Sequence, residues 1–229
     1  MSGGKKSSWW DIPVTLAIAV GVVLLITTFI VKPFSIPSGS MENTLLVGDR
    51  VLVNRMVYHF RDVQRGDVIV FDGTDSFVPA GDKPQRNPIS GALTWVGQSL
   101  GLIQPDSTDF IKRVIGVAGD RVVCCDVEGR ITINGVALDE SYLYPDDVPS
   151  YDEFDVVVPE GKLWVMGDHR SNSADSRSHM GDPGGGFVPT SKVIGRGMVV
   201  LWPPSELKVL SIPPEFETIP APASTDSSQ

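Results

Sequence analysis

Apolar and polar positions divide the chain into one long uncharged run and a series of short alternating ones. Ile12 to Val31, IPVTLAIAVGVVLLITTFIV, is 20 residues without a charge. A helix rising about 1.5 Å per residue would make this run roughly 30 Å long, the thickness of a bilayer's hydrocarbon core. Lys5 and Lys6 precede it, and Trp9 and Trp10 stand where interfacial aromatics gather. The run predicts a membrane anchor over 12–31 with residues 1–11 cytoplasmic and the rest outside. Lys32, directly on the far side, makes that charge argument modest. A cleaved secretory signal fits less well: the apolar run is too long, and Lys32-Pro33-Phe34 follows it instead of a small-residue exit.

Beyond the anchor the texture is β. VGDRVLVNR (47–55) and RGDVIVF (65–71) each join a Gly-Asp turn to a β-rich run. FIKRVIGVAGDRVVCCDV (110–127), RITINGVAL (130–138), FDVVVPEGKLWVM (154–166) and VIGRGMVVLW (193–202) continue the pattern. Residues 72–109 break it with Gly, Pro, Asp and Ser around one apolar island at 92–103. They read as a surface insertion with one short amphipathic helix. Residues 139–154 form an acidic excursion containing tyrosines. Pro, Ser, Thr and Glu dominate 213–229, which predicts a disordered tail. The expected fold is mainly β: one β-barrel or sheet domain over 32–212 behind one N-terminal transmembrane helix.

Composition narrows the function classes. The 229 residues carry a formal charge of −9 and no basic cluster, which argues against a nucleic-acid partner. Cys124 and Cys125 are the two cysteines. At the ordinary Cα spacing of about 3.8 Å they are too close for an unstrained bridge, so two unpaired thiols are expected. With no His or Cys neighbours they make no metal site, and no metal or organic cofactor is implied.

Candidate chemistry gathers in three segments. FSIPSGSMENTLL (34–46) sets Ser38 and Ser40 on a turn shaped by Pro37 and Gly39, where exposed amides can meet an acyl oxyanion. A serine hydroxyl needs a base. His59, His169 and His179 lie in polar connections or turns with no buried acid in prospect. Lys112 sits inside an apolar run, sharing a strand face with Phe110 and Val114. There it is either a snorkelling edge-strand lysine or a desolvated amine whose pKa falls towards neutrality. GDHRSNSADSR (167–177) is dense in hydroxyls and charges; alone it reads as a polar turn with an Asp175–Arg177 ion pair.

PSGSM (37–41), TLLVGDRVLV (44–53), RGDVIVF (65–71), FIKRVIGVAGDRV (110–122) and GDHRSNSADSR (167–177) resemble, in order, the boxes of bacterial type I signal peptidases. The resemblance implies a Ser/Lys-dyad endopeptidase that removes signal peptides from translocated preproteins. Ser40 would be the nucleophile and Lys112 the general base. Ser38 and the Ser40 backbone N–H would form the oxyanion hole, and Ser173 would orient the lysine. Asp175 and Arg177 would be a supporting ion pair, with Arg113 nearby. Ile36, Met41, Leu45, Val51, Val70, Phe110 and Ile111 would line shallow pockets for small side chains. The implied partners are signal peptides and the lipid bilayer. The chain departs from the family at Asn43, where proline is frequent, and at His169 and Ser171 in the last box.

Three other readings compete. A self-cleaving repressor-type protease shares the dyad chemistry, but this chain has no helix-turn-helix pattern or basic region. A membrane-tethered, non-catalytic β module would not need Ser40, Lys112 and Ser173 together. An endoplasmic-reticulum-type signal peptidase would carry histidine at position 112.

Overall fold

The computed structural model describes residues 11–78 and 108–222. One α-helix, α1 (Asp11–Phe29), leads through Ile30 into the first strand. The strands are β1 (Val31–Ser35), β2 (Arg50–Asn54), β3 (Val68–Asp72), β4 (Asp109–Gly116), β5 (Arg121–Cys124) and β6 (Ile131–Ile133). They continue as β7 (Val136–Ala137), β8 (Phe154–Val157), β9 (Lys162–Met166), β10 (Val188–Pro189), β11 (Val193–Trp202) and β12 (Lys208–Val209). Short 3₁₀ turns punctuate them, one of them Gly39–Met41. The mainly β expectation holds. Among the described residues no helix is long and apolar enough to cross a membrane.

Two antiparallel sheets carry the fold. The larger has the order β1-β2-β11-β3-β4-β9-β10, with β12 paired to β11. The smaller runs β7-β6-β5-β8. In the larger sheet β4 is an interior strand, flanked by β3 and β9. Ile69 pairs with Lys112 and Val70 with Ile111, while Arg113 pairs with Met166 on the other side. Alternation then divides the core. Val68, Val70 and Ile111 join Phe34, Ile36, Met41, Leu45 and Val51 in one apolar cluster. Ile69, Phe71 and Val114 face a second, with Leu163 and Val165. The smaller sheet has its own core around Trp164, Ile131 and Ile133.

Three Gly-Asp turns deliver strands to this framework by one device. Gly48, Gly66 and Gly119 take φ of 95°, 82° and 85°, which glycine adopts without steric cost. The aspartates that follow are almost wholly buried. Each carboxylate accepts a backbone N–H three residues back: Leu46 to Asp49 at 2.9 Å, Gln64 to Asp67 at 3.0 Å, and Val117 to Asp120 at 2.9 Å. Asp67 also gathers Arg61 and Arg196, and Asp120 gathers Arg65.

Two expectations meet a different outcome. The tail is not disordered from residue 213: Pro214–Thr218 forms a 3₁₀ turn, and Phe216 and Ile219 bury against the smaller sheet's core. Composition concealed these two apolar anchors, and Arg65 secures the segment by donating to Ile219 O at 3.2 Å and Pro220 O at 3.0 Å. Cys124 and Cys125 are joined in a disulfide rather than unpaired, with a cis peptide between them and their Cα atoms 3.0 Å apart. The segment 72–109 connects β3 to β4. Its first residues return to the core, Phe77 packing edge-on to Phe71 at 5.3 Å. The helix anticipated over 92–103 lies outside the described residues.

Candidate active site

Ser40 lies in the 3₁₀ turn Gly39–Met41, which is closed by Glu42 N–H donating to Gly39 O at 3.0 Å. Met41 and Leu45 are fully buried beneath it, so the turn is pinned by its own apolar side chains. β4 brings Lys112 to the same place from 72 residues away. Its Nζ donates to Ser40 Oγ at 2.7 Å and to Ile111 O at 3.0 Å. Ser40 is 6% exposed and Lys112 4%. Burial lowers the lysine to about 8, against the opposing pull of Asp175 and Asp168. An amine at about 8 is neutral in about one molecule in ten at pH 7, against fewer than about one in a thousand for an ordinary lysine. The pair can therefore pass a proton from a hydroxyl to an amine at neutral pH.

Ser38 Oγ lies 3.5 Å from Ser40 Oγ, at the exposed side of the pair. The loop 167–177 closes the opposite side. His169 N–H donates to Ser40 O at 3.2 Å, holding the turn from behind. Gly167 sits where no side chain fits: a Cβ there would collide with Ser173 Oγ and with Ser40 O. Ser173 Oγ is buried and lies beside Asp175, whose pKa it helps to lower, and is not bonded to Lys112, unlike the contact implied by resemblance. Asp175 and Arg177 form a buried two-pronged pair, with both contacts at 2.9 Å, and Gly167 N–H adds a third bond to Asp175 at 3.0 Å. Burial pushes the Asp175 carboxyl up, but these partners outweigh it and hold it below the ordinary carboxylate range.

Arg113, expected only near the Asp175–Arg177 pair, forms a buried pair of its own with Asp168. Its Nε and Nη2 meet Asp168 at 2.8 and 2.6 Å, and its Nη1 donates to Gly66 O at 3.0 Å. The Tyr142 ring covers it at 4.1 Å. Thr44, which donates to Asp168 and accepts from Arg113 Nη2 at 3.2 Å, completes the knot. Sequence reasoning missed Asp168 and Thr44. The available signal was the Gly-Asp pair itself, since the same dipeptide buries its acid at 49, 67 and 120.

Of the residues expected to line pockets, Ile36, Met41, Leu45, Val51, Val70 and Ile111 share one cluster below Ser40. Phe110 stands apart. Strand alternation turns it to the other side of β4, where it stacks on Phe71 at 5.8 Å and meets Phe77 at 5.4 Å. His169 also lies at the site's edge: its Nδ1 meets Glu42 at 2.9 Å and its ring stacks on Tyr144 at 3.9 Å. Among the described residues no cluster of His, Cys, Asp and Glu has a metal-holding arrangement.

Comparison with known proteins identifies the family. The family described as signal peptidase, peptidase S26, matches residues 9–202. A probable signal peptidase I of Mycobacterium leprae is 40% identical over 232 residues, covering 88% of this chain and 78% of that protein. A signal peptidase I of Mycobacterium tuberculosis is 41% identical over 228 residues, covering 90% and 76%. The crystal structure of a signal peptidase I from Enterococcus faecalis is 26% identical with a TM-score of 0.36, covering 59% of this chain and 97% of that one. Matched along most of its length by the family and by relatives at this identity, the chain belongs to the type I signal peptidases of the S26 family of serine peptidases.

Proposed function

We propose that Ser40 and Lys112 are the nucleophile and general base with which this signal peptidase cuts signal peptides from exported preproteins. The observation that carries the reading is the 2.7 Å contact between Lys112 Nζ and Ser40 Oγ in a buried site. The neutral amine takes the Ser40 proton as Oγ attacks the scissile carbonyl, then returns it to the leaving amine as the C–N bond breaks. Water, deprotonated by the same amine, hydrolyses the ester that remains.

Ser38 Oγ and the Ser40 N–H serve as oxyanion donors, acting on charge that exists only in the tetrahedral state. Ser173 and the Asp175–Arg177 pair shape the wall behind the lysine. Ile36, Met41, Leu45, Val51, Val70 and Ile111 form the floor of shallow apolar pockets, which suit small side chains such as alanine before the cut. Phe110, on the opposite face, contributes through packing of the strand that carries Lys112.

The apolar run 12–31 anchors the enzyme in the bacterial cell membrane with residues 1–11 in the cytoplasm, and the β domain works outside. Leu201, Trp202, Leu207 and Val209, each more than half exposed near one end of β11, support a working position beside lipid. Sharing the bilayer with the signal peptide's hydrophobic segment raises the local substrate concentration.

N-terminal sequencing of a preprotein incubated with the full-length enzyme tests the reading. Ser40→Ala is expected to leave no processed product. Ser38→Ala is expected to lower kcat about 100- to 1,000-fold with KM little changed. Processing by Ser40→Ala at the wild-type rate removes the assignment.

A further inference from the structure

Glu42 folds back over Gly39, the residue that separates the two proposed oxyanion donors. Its N–H donates to Gly39 O at 3.0 Å, and its carboxylate lies against the Gly39 α-carbon. A Cβ built on Gly39 would stand 2.9 Å from Glu42 Cδ and Oε2, and as close to Asn172 Nδ2. The Glu42 side chain is 28% exposed, so water screens its charge only in part. A negative charge here opposes the anion that the Ser38 hydroxyl and the Ser40 N–H would receive on either side of Gly39.

His169 meets this carboxylate. Its Nδ1 donates to Glu42 Oε2 at 2.9 Å, since an ionised carboxylate can only accept. The imidazole is held from two directions. The His169 N–H is tied to Ser40 O at 3.2 Å, and the Tyr144 ring stacks on the imidazole at 3.9 Å. Neighbouring charges are engaged elsewhere: Asp168 with Arg113, Arg170 with Glu140, and Asp147 with the Ser171 N–H. His169 is one of the positions where the chain departs from its family. The pair is therefore an adjustment particular to this chain and not a condition of the Ser/Lys chemistry.

We propose that His169 is a positioning residue that holds the Glu42 carboxylate and partly offsets its charge, limiting its repulsion of the oxyanion at Ser38 and Ser40. The inference rests on Ser40 being the nucleophile and on those two donors receiving the oxyanion. The repulsion exists only once the tetrahedral anion forms, so the offset acts on turnover and not on affinity.

The test uses the full-length enzyme in detergent with a preprotein substrate. It compares His169→Ala, Glu42→Gln, the double variant and Ser40→Ala, with a thermal melt on each. His169→Ala leaves the carboxylate unopposed and is expected to lose about tenfold in kcat, with KM within about twofold of wild type. Glu42→Gln removes the charge and is expected to raise kcat about twofold. The double variant is decisive. It lacks the same contact as His169→Ala, yet is expected to regain kcat to within about twofold of wild type, because no charge remains to offset. A purely structural clasp leaves the double variant as slow as His169→Ala, and that result overturns the proposal. Wild-type kcat in His169→Ala, or losses confined to KM or to the fraction of folded enzyme, overturn it as well. If His169→Ala does not fold, Glu42→Gln decides: kcat above wild type supports the proposal, and kcat at or below wild type overturns it. Any of these failures beside an inactive Ser40→Ala sinks this inference alone; an active Ser40→Ala sinks the nucleophile reading with it.

Discussion

Lys112 and Arg113 are neighbours on β4, both buried, and take different partners with opposite consequences. Burial lowers the lysine to about 8, with its Nζ bonded to a hydroxyl and a carbonyl. Burial also pulls the guanidinium down, but Asp168 outweighs it and holds Arg113 above its ordinary value. A strand thus carries one cation kept charged by a matched carboxylate and one kept ready to lose its proton. The difference lies in direct contact: Arg113 has a two-pronged acid partner, whereas the acids that act on Lys112 do so through space.

The sharpest way to break this contrast is to remove the amine. Lys112→Met is expected to abolish preprotein cleavage, a loss of about 10,000-fold or more if the lysine is the base. The same variant is expected to melt higher at pH 7. The folded pKa lies below the unfolded 10.5, so below pH 8 both states hold the proton and folding must bury an ammonium. Between about pH 8 and 10.5 only the unfolded chain keeps its proton, and wild-type stability rises with pH across that window. The shift corresponds to about 3 kcal/mol recovered by Lys112→Met at neutral pH, which denaturant titrations at pH 7 and pH 10.5 can compare. A lower stability of the variant at both pH values would contradict the buried-ammonium penalty.

Next in size is the strand's other cation. Asp168→Asn strands the Arg113 charge in the core and is expected to cost about 3–5 kcal/mol of stability, read by denaturant titration. An unchanged midpoint would mean that Arg113 finds another partner. The smallest effect sharpens the through-space claim. Asp175 raises the Lys112 pKa, so Asp175→Asn should lower it further. The acid limb of kcat/KM against pH is expected to move to lower pH, and a move to higher pH would remove Asp175 from the lysine's electrostatics.

These contrasts explain what could be read from sequence. The strand runs around 50–54, 68–72 and 109–116 are legible because alternation and Gly-Asp turns are local signals. The serine turn and Lys112 are legible because the boxes keep their order. Asp168 is not, since an aspartate after glycine reads first as a turn residue, and its partner lies 55 positions away across the sheet. Strand β1 hid behind the anchor's own apolar run. The tail's attachment depends on Phe216 and Ile219, two side chains in a segment whose average composition describes solvent-loving chain. Local chemistry was visible; long-range pairing was not.

Gly167 shows how narrow the tolerance of such a site is. With the backbone of the serine turn on one side and Ser173 on the other, the space at this α-carbon admits hydrogen and nothing larger. Even alanine would drive a wedge between the two halves of the machinery, although the position touches no reacting atom. The fit of main chain against main chain closes this position to variation as firmly as chemistry does at a nucleophile.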